Sequence, residues 1–443
     1  MTDSADVVIL GGGVAGLATA SVLGSRALVL ERGERPGGLV RTENFGGYWF
    51  DHVIHLLYFA DPEVQHRVLD IVGQDLQPCP PLAYVELSEG AARFPFQIHL
   101  ADLPAETALR CLRDFAVANA HSPGEPRNYA ELLRQTFGKA MCEMFFFPYN
   151  RKTWRRPLES LAADGFHWNL TRPDMSEVLQ GALHQSGDSR AYNARGWYPR
   201  PAPEADQRGM EVLTRSLASR VSDLRLHSTV TEIDLEARAI RVQNARGEST
   251  VTWRDACVST LPLPQTVSLC RQAPIALRRD CAGLSQNRVR SVALSIRGPR
   301  PHGTGHWRYY ADEALCFTRL VYMCEFDPAL APADGWGLLV EVPERGEDVP
   351  RPAAELVEEV VSGLESIRAL SPDCRIIDRH VIDAEPAYVV FTPRNAETVR
   401  RAQVYLREAG VEPLGRYGRW EYSSMAQVMT DGFRWADEWL RRP

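Results

Sequence analysis

Residues 6–32 read DVVILGGGVAGLATASVLGSRALVLER. Residues 7–10 are a short, wholly apolar run of the kind buried inside parallel sheets. Gly11, Gly13 and Gly16 then follow in the order GxGxxG, with Val14 and Ala15 opening an apolar helix that runs to about Gly24. Residues 27–30 make a second apolar strand that ends on Glu31 and Arg32. In such a unit the first glycine makes the tight turn, the second lets the backbone approach a pyrophosphate, and the third packs helix on strand. The helix N-terminus offers unpaired N–H groups to phosphate, and Glu31, twenty residues after Gly11, is placed to accept from a ribose hydroxyl. The stretch predicts a dinucleotide-binding domain.

The same stretch contains an uncharged run at residues 7–25, long enough to suggest a membrane span. Asp3 and Asp6 on its flank and the glycines inside it argue against both a span and a signal peptide. The expectation is therefore a cytoplasmic protein with no membrane span. Its 443 residues leave room for about three domains. Apolar content of 44% and charged content of 24% are ordinary for a globular chain. A net charge of −7 disfavours a general nucleic-acid binder. Lys139 and Lys152 are the only lysines beside 48 arginines, so a lone arginine carries little signal and Schiff-base chemistry has few candidates. Nine scattered cysteines without a CxxC pair indicate neither a zinc site nor a disulfide framework, and read as buried, reduced thiols. No HExxH metal motif and no GxSxG nucleophile elbow is present.

Helical patterning is expected at residues 62–73 and 104–137, with shorter helices at 143–149, 160–164 and 175–183. Strand-like alternation recurs at 84–87, 289–296, 307–310, 315–323, 337–342 and 375–382. Residues 224–259 look like a return to the nucleotide domain, and proline-rich joints at 199–203 and 343–352 mark loops. The expected organisation is a discontinuous cofactor domain (1–75, 205–270, 385–443), a mainly helical insertion (76–204) and an antiparallel sheet (271–384).

After Glu31 the chain runs RGERPGGLVRTENFGGYWFDHVIHLLYF. Gly37-Gly38, Leu39 and Arg41 resemble the second signature of the FAD-dependent amine oxidase and protoporphyrinogen oxidase superfamily, whose loop follows the pyrophosphate and flavin. The resemblance implies FAD as cofactor and an α/β fold: a Rossmann-type, glutathione-reductase-like FAD domain with an inserted helical domain and an antiparallel β-sheet substrate domain. Val230, where the chain returns to that domain, joins the expected cofactor contacts.

GRYGRWEYSSM, residues 415–425, is similar to the GRxGxYxYxDM pattern of the UDP-galactopyranose mutase branch. The resemblance implies that Gly415, Arg416 and Met425 meet the flavin and that Tyr422 meets the substrate diphosphate. Tyr149 and Trp154 match the family's Y-x-x-x-x-W, where the tryptophan lines the substrate cleft. Arg172 falls in a stretch similar to the mobile loop whose arginine clamps the diphosphate. Arg290 sits where the family's R-S-L brings a second arginine from the other side. Tyr388 matches a cleft tyrosine, and His55 resembles the histidine near the flavin. Three departures stand out: Ser424 in place of the family acid, Val53-Ile54 before the histidine in place of small residues, and PAPEADQRG where relatives carry a glycine pair.

As the resemblance implies, the reaction is ring isomerisation of a nucleotide sugar through an adduct between the sugar and N5 of reduced flavin. His55, Arg172, Arg290, Tyr388 and Tyr422 would be the catalytic set. NAD(P)H or another reductant would supply the electrons. An FAD-dependent oxidase or desaturase of an amine, porphyrinogen or natural-product intermediate is the competing enzyme class. A flavin-binding partner protein without turnover is a third.

Overall fold

A computed structural model describes residues 3–120, 124–164, 172–183 and 195–442. β1 (Asp3–Leu10), α1 (Val14–Leu23) and β2 (Ala27–Leu30) follow in the expected order. The last four residues of β1 and all of β2 are buried, as central parallel strands should be. A hairpin of β3 (Thr42–Phe45) and β4 (Tyr48–Asp51) comes next, then α2 (Pro62–Val72), whose N-cap Asp61 accepts from Glu63 N–H.

β5 (Ala83–Leu87) and β6 (Gly90–Arg93) precede a helical stretch of α3 (Ala105–Asn119), α4 (Tyr129–Met141) and α5 (Phe147–Trp154). α6 (Met175–Ala182) and α7 (Glu211–Ala218) follow. The helix expected at 160–164 is absent; a single tight turn at Leu158–Ser160 takes its place. The expected 104–137 run divides into α3 and α4, because Asn128 accepts from Glu131 N–H and starts a new helix.

β7 (Asp223–Arg225), β8 (Thr229–Asp234), β9 (Ala239–Asn244) and β10 (Gly247–Ser259) return to the first sheet. Its order is β7-β2-β1-β10-β9-β8, and β16 (Val411–Pro413) also pairs β10. The strands around β1 are parallel, and only β8, β9 and the start of β10 form an antiparallel meander. α1 is apolar all round, and eight of its ten residues are buried between this sheet and α10 (Met425–Leu440). Gly432 of α10 permits that approach: a Cβ there would lie 3.0 Å from the Ala15 carbonyl oxygen.

The second sheet is built from β11 (Gln286–Arg297), β12 (Trp307–Tyr310), β13 (Arg319–Tyr322), β14 (Gly335–Arg345) and β15 (Arg375–Val389), with α8 (Ala353–Ser366) on one face. Its order is β15-β11-β14-β13-β12-β5-β6. β5 and β6, expected with the helical insertion, are thus strands of the sheet, and β12 pairs β5 in parallel. Pro343, expected in a loop, lies inside β14 opposite Val289. It sits beyond the stretch that β13 covers, where a missing N–H costs no ladder bond.

The helical stretch turns at Gly138, whose φ of 76° lies in the left-handed region. A Cβ there would come within 2.5 Å of the Asp114 carbonyl oxygen on α3. Replacing Gly138 with alanine should therefore lower the thermal unfolding midpoint, since a positive φ with ψ of 176° is a backbone that costs an L-residue about 1–3 kcal/mol and the clash adds to it. An unchanged midpoint would show that α3 and α4 shift freely past one another.

Candidate active site

The glycine turn between β1 and α1 has the form that a dinucleotide needs. Gly11 has φ of 101°, and its N–H donates to the Leu30 carbonyl at 2.9 Å. A Cβ on Gly16 would strike the Gly11 carbonyl oxygen at 2.1 Å, so that position packs the helix on its own turn. Gly13 differs: its φ of −78° suits any residue, and a Cβ there would meet only Gly38 Cα at 3.9 Å. The glycine keeps open a space that the protein itself does not fill. Gly37 N–H donates to the Gly12 carbonyl at 2.8 Å and brings the second glycine loop against the first.

Glu31 closes β2. Its two carboxylate oxygens accept from Gly12 N–H and Gly33 N–H, both at 2.7 Å. A carboxylate has about four acceptor sites, which leaves capacity for a ribose hydroxyl. A cleft of about 1150 Å³ begins here and runs along the face of the turn to the second sheet. Gly11, Gly13, Val14, Ala15, Glu31, Arg32, Gly38, Leu39, Arg41, His55, Val230, Gly415, Arg416 and Met425 all line it. Gly16 alone of the expected cofactor set does not.

The glycine turn fits the dinucleotide part of FAD: Gly13 leaves space beside it, and Glu31 stands at the end of β2 with acceptor capacity to spare. Buried polar groups are almost always hydrogen-bonded. Among the described residues fourteen buried side-chain polar atoms lack a partner, and seven belong to cleft residues: Arg41, His52, His55, Trp307, Arg319, Arg416 and Trp420. Half of the exceptions thus sit in the walls of one cleft. A glycine cradle and a ribose acceptor are the groups a flavin dinucleotide would engage.

At the far end the sheet supplies the charge. Arg319 opens β13 directly across from Glu341 of β14, and their side chains pair at 2.9 Å. Glu341 is buried and Arg319 largely so; desolvation opposes the Arg319 charge, and Glu341 more than restores it. Arg319 also lies over the Tyr309 ring, 4.9 Å from its centre. Glu341 has a second role, since its other oxygen accepts from Ile54 N–H at 2.6 Å and so anchors the loop that carries His55.

Arg416 donates to the Ser423 and Ala387 carbonyls and lies 4.0 Å from the centre of the Tyr422 ring. Tyr422 in turn stacks on Tyr388 at 5.7 Å. Burial holds the Tyr388 hydroxyl well above its ordinary pKa, so it remains a donor. Burial first, then the charges of His52 and Arg416, push His55 down to about 3. His55 is therefore a neutral imidazole at working pH.

The structure brings His55, Tyr388 and Tyr422 together and leaves four expected substrate residues outside the cleft. Arg290 shares a face of β11 with Val292, Leu294 and Ile296, which pack towards α8, while its neighbour Val289 lines the cleft. Its guanidinium is bound to Asp383 and to the Arg351 carbonyl. One residue of strand register decides the face. Trp154 is buried behind Tyr388, at 5.8 Å between ring centres, and its Nε1 donates to Asn150. Tyr149 stacks on Phe145 in the layer behind Tyr309. Arg172 is exposed and does not line the cleft; residues 165–171 on its N-terminal side lie outside the described residues.

Ser424, the departure from the family acid, is the N-cap of α10 in a capping box with Gln427. Serine and aspartate serve that position equally well, so the helix start survives the change while a carboxylate is lost from the cleft wall.

Arg319 and Glu341 were not among the residues expected from the sequence. With 48 arginines, Arg319 has no compositional signal. The available signal was an acid inside the apolar run WGLLVEV and a base opening RLVY, because a charge within a buried strand requires a partner.

A reduced UDP-galactopyranose mutase has a similar structure, with a TM-score of 0.88 and 20% identity over 98% of this chain and 95% of that one. A protein from Exiguobacterium sp. 255-15, assigned as a protoporphyrinogen oxidase, follows at 0.71 and 17% identity, with both chains fully covered. Putrescine oxidase bound to putrescine is similar at 0.63 and 16% identity, again over the whole of both chains. At these identities the likeness concerns the fold. No curated protein sequence matches the chain. The family model for flavin containing amine oxidoreductases matches residues 14–441, and the chain belongs to that family.

Proposed function

We propose that the protein is an FAD-dependent mutase that rearranges the ring of a nucleotide-activated sugar, with the cofactor in its reduced form. The observation that supports this reading is the desolvated group of cations and phenols at the sheet end of the cleft: Arg319, Arg416, Tyr388 and Tyr422. An oxidase acting on an apolar substrate has no use for buried guanidinium groups. A departing diphosphate does, because it gains negative charge as the bond to the sugar breaks.

The residues divide the work. Gly11, Gly13, Glu31, Gly38, Arg41 and Arg416 would hold FAD. When bound and reduced, FAD supplies the electron-rich centre that the anomeric carbon needs as the diphosphate departs. Arg319, held through Nη1 by Glu341 and lining the cleft, would meet the diphosphate oxygens with its remaining donors. Charge-assisted contacts of this kind strengthen as charge develops. The Tyr388 and Tyr422 hydroxyls would add neutral donors. His55, being neutral, would accept or donate a hydrogen bond without adding charge.

One observation favours the competing class, an FAD-dependent oxidase or desaturase. Neither of the two arginines expected at the diphosphate, Arg290 and Arg172, lines the cleft, and Arg319, which does, is already partnered by Glu341.

The purified flavoprotein, chemically reduced under anaerobic conditions, should interconvert ring forms of one member of a panel of nucleotide sugars, followed by chromatography and NMR. The mutase reading requires that conversion depend on reduced flavin yet consume no reductant in proportion. Oxygen-dependent turnover of an amine or porphyrinogen, with no rearrangement, would move the protein to the oxidase class.

Two substitutions separate the arginines. Arg319→Lys should weaken nucleoside-diphosphate binding by tenfold or more by calorimetry, since a point charge cannot reproduce the planar fork. Arg290→Ala should leave that affinity unchanged and lower the unfolding midpoint. The opposite pattern would restore Arg290 as the substrate residue.

A further inference from the structure

Tyr388 stands at an irregular point of the second sheet. β15 falls out of step with β11 between the pairs Ala384–Val289 and Tyr388–Asn287, and the bulged residues Glu385, Pro386 and Ala387 line the cleft. A bulge disrupts the ladder locally, so regular pairing does little to fix the tyrosine from that side. Asn287, opposite Tyr388, has no exposed surface and directs its whole side chain to another part of the chain. Its Nδ2 donates to the Thr153 and Trp154 carbonyls at 2.9 and 3.0 Å, and its Oδ1 accepts from Arg156.

Those carbonyls belong to the last turn of α5, where a helix leaves oxygens without donors. Asn287 therefore ties the helical insertion to the sheet. Its amide fits only one way round, because two acceptors face the nitrogen and a guanidinium faces the oxygen. Arg156 widens the junction: it donates to the Trp154 carbonyl and, through Nη2, to both oxygens of the cleft residue Glu347 at 2.6 and 2.7 Å. The ring nitrogen of Trp154 is bound within the insertion, to Asn150, which Tyr129 also holds. What the fastened helix end presents to the sheet is the Trp154 ring, edge-on to Tyr388. Tyr422 stacks on Tyr388 as well, so the phenol is held by two rings.

We propose that Asn287 is a positioning residue for Tyr388: by capping the end of α5 it holds Trp154 against the tyrosine and so sets where the phenol hydroxyl stands in the cleft. That the hydroxyl then donates to a diphosphate rests on the mutase reading; the positioning itself does not. The same junction fixes a second point of the wall, since Arg156 joins Asn287 to Glu347. The helical insertion thereby shapes the cleft through residues that do not line it.

Asn287→Asp is the discriminating substitution, since it keeps the shape and the bond from Arg156 but turns an acceptor towards two carbonyl oxygens. The FAD-loaded protein is labelled with fluorotyrosine, and the fluorine NMR signal lost in Tyr388→Phe marks the Tyr388 ring. That signal should shift or broaden in Asn287→Asp; an unmoved signal overturns the proposal, whatever happens to the unfolding midpoint. Calorimetry with UDP, GDP, ADP and dTDP then reads the hydroxyl. Asn287→Asp and Tyr388→Phe should each weaken the nucleoside diphosphate that binds by about two- to tenfold, the net strength of one neutral hydrogen bond. The double variant should lose no more than the larger single loss. Losses that multiply would show Asn287 acting independently of Tyr388 and would overturn the positioning role. Wild-type protein that binds none of these diphosphates would contradict the mutase reading instead, and the fluorine signal would still decide the positioning. Should Asn287→Asp fail to fold, Asn287→Ala is read in the same way.

Discussion

Arg319 is a cation with little water around it, and Glu341 is the carboxylate that makes this tolerable. Burying one charge is costly, and pairing it with an opposite charge of good geometry is the usual remedy. Here the remedy organises the site. The same carboxylate that neutralises Arg319 accepts from Ile54 N–H, so the substrate end of the cleft and the histidine loop beside the cofactor share one anchor. The sheet register that sets Arg319 opposite Glu341 is thereby also what sets where His55 stands. Loss of Glu341 would leave Arg319 unpaired and the histidine loop unfastened together.

The two ends of the cleft are made differently. The dinucleotide end is backbone: glycines that bring loops close, helix N–H groups and one acid. The sheet end is side chain: two arginines, tyrosines and a buried acid, most of them on strands that pair across long sequence distances. Backbone sites depend on local order, and side-chain sites depend on register. This explains why Gly13 leaves room beside the turn, whereas Arg319 depends on the strand partner that faces it, Glu341.

That difference also decides what the sequence could show. The β1–α1–β2 unit was legible because strand, glycine turn, helix and acid lie within thirty residues, and the expected cofactor contacts line the cleft apart from Gly16. Residues 415–425 were legible for the same reason, and Arg416 and Tyr422 both line the cleft. Arg290 was not, because pairing of β11 with β14 and β15 turns it towards α8, and a motif of three residues contains no register. Trp154 shows a second limit: periodicity marks an aromatic as facing inward without saying whether inward means cleft or core. The parallel junction of β5 with β12 joins residues more than two hundred positions apart, beyond the reach of any local pattern.

The central claim is that one cleft holds a flavin along its glycine loops and an anionic substrate at Arg319. A crystal structure with FAD and a nucleoside diphosphate bound tests it most directly. Diphosphate oxygens are expected within hydrogen-bond distance of the Arg319 guanidinium, with Glu341 still on Ile54 N–H and Arg290 still on Asp383. A diphosphate bound elsewhere, with Arg319 engaged only by Glu341, would contradict it.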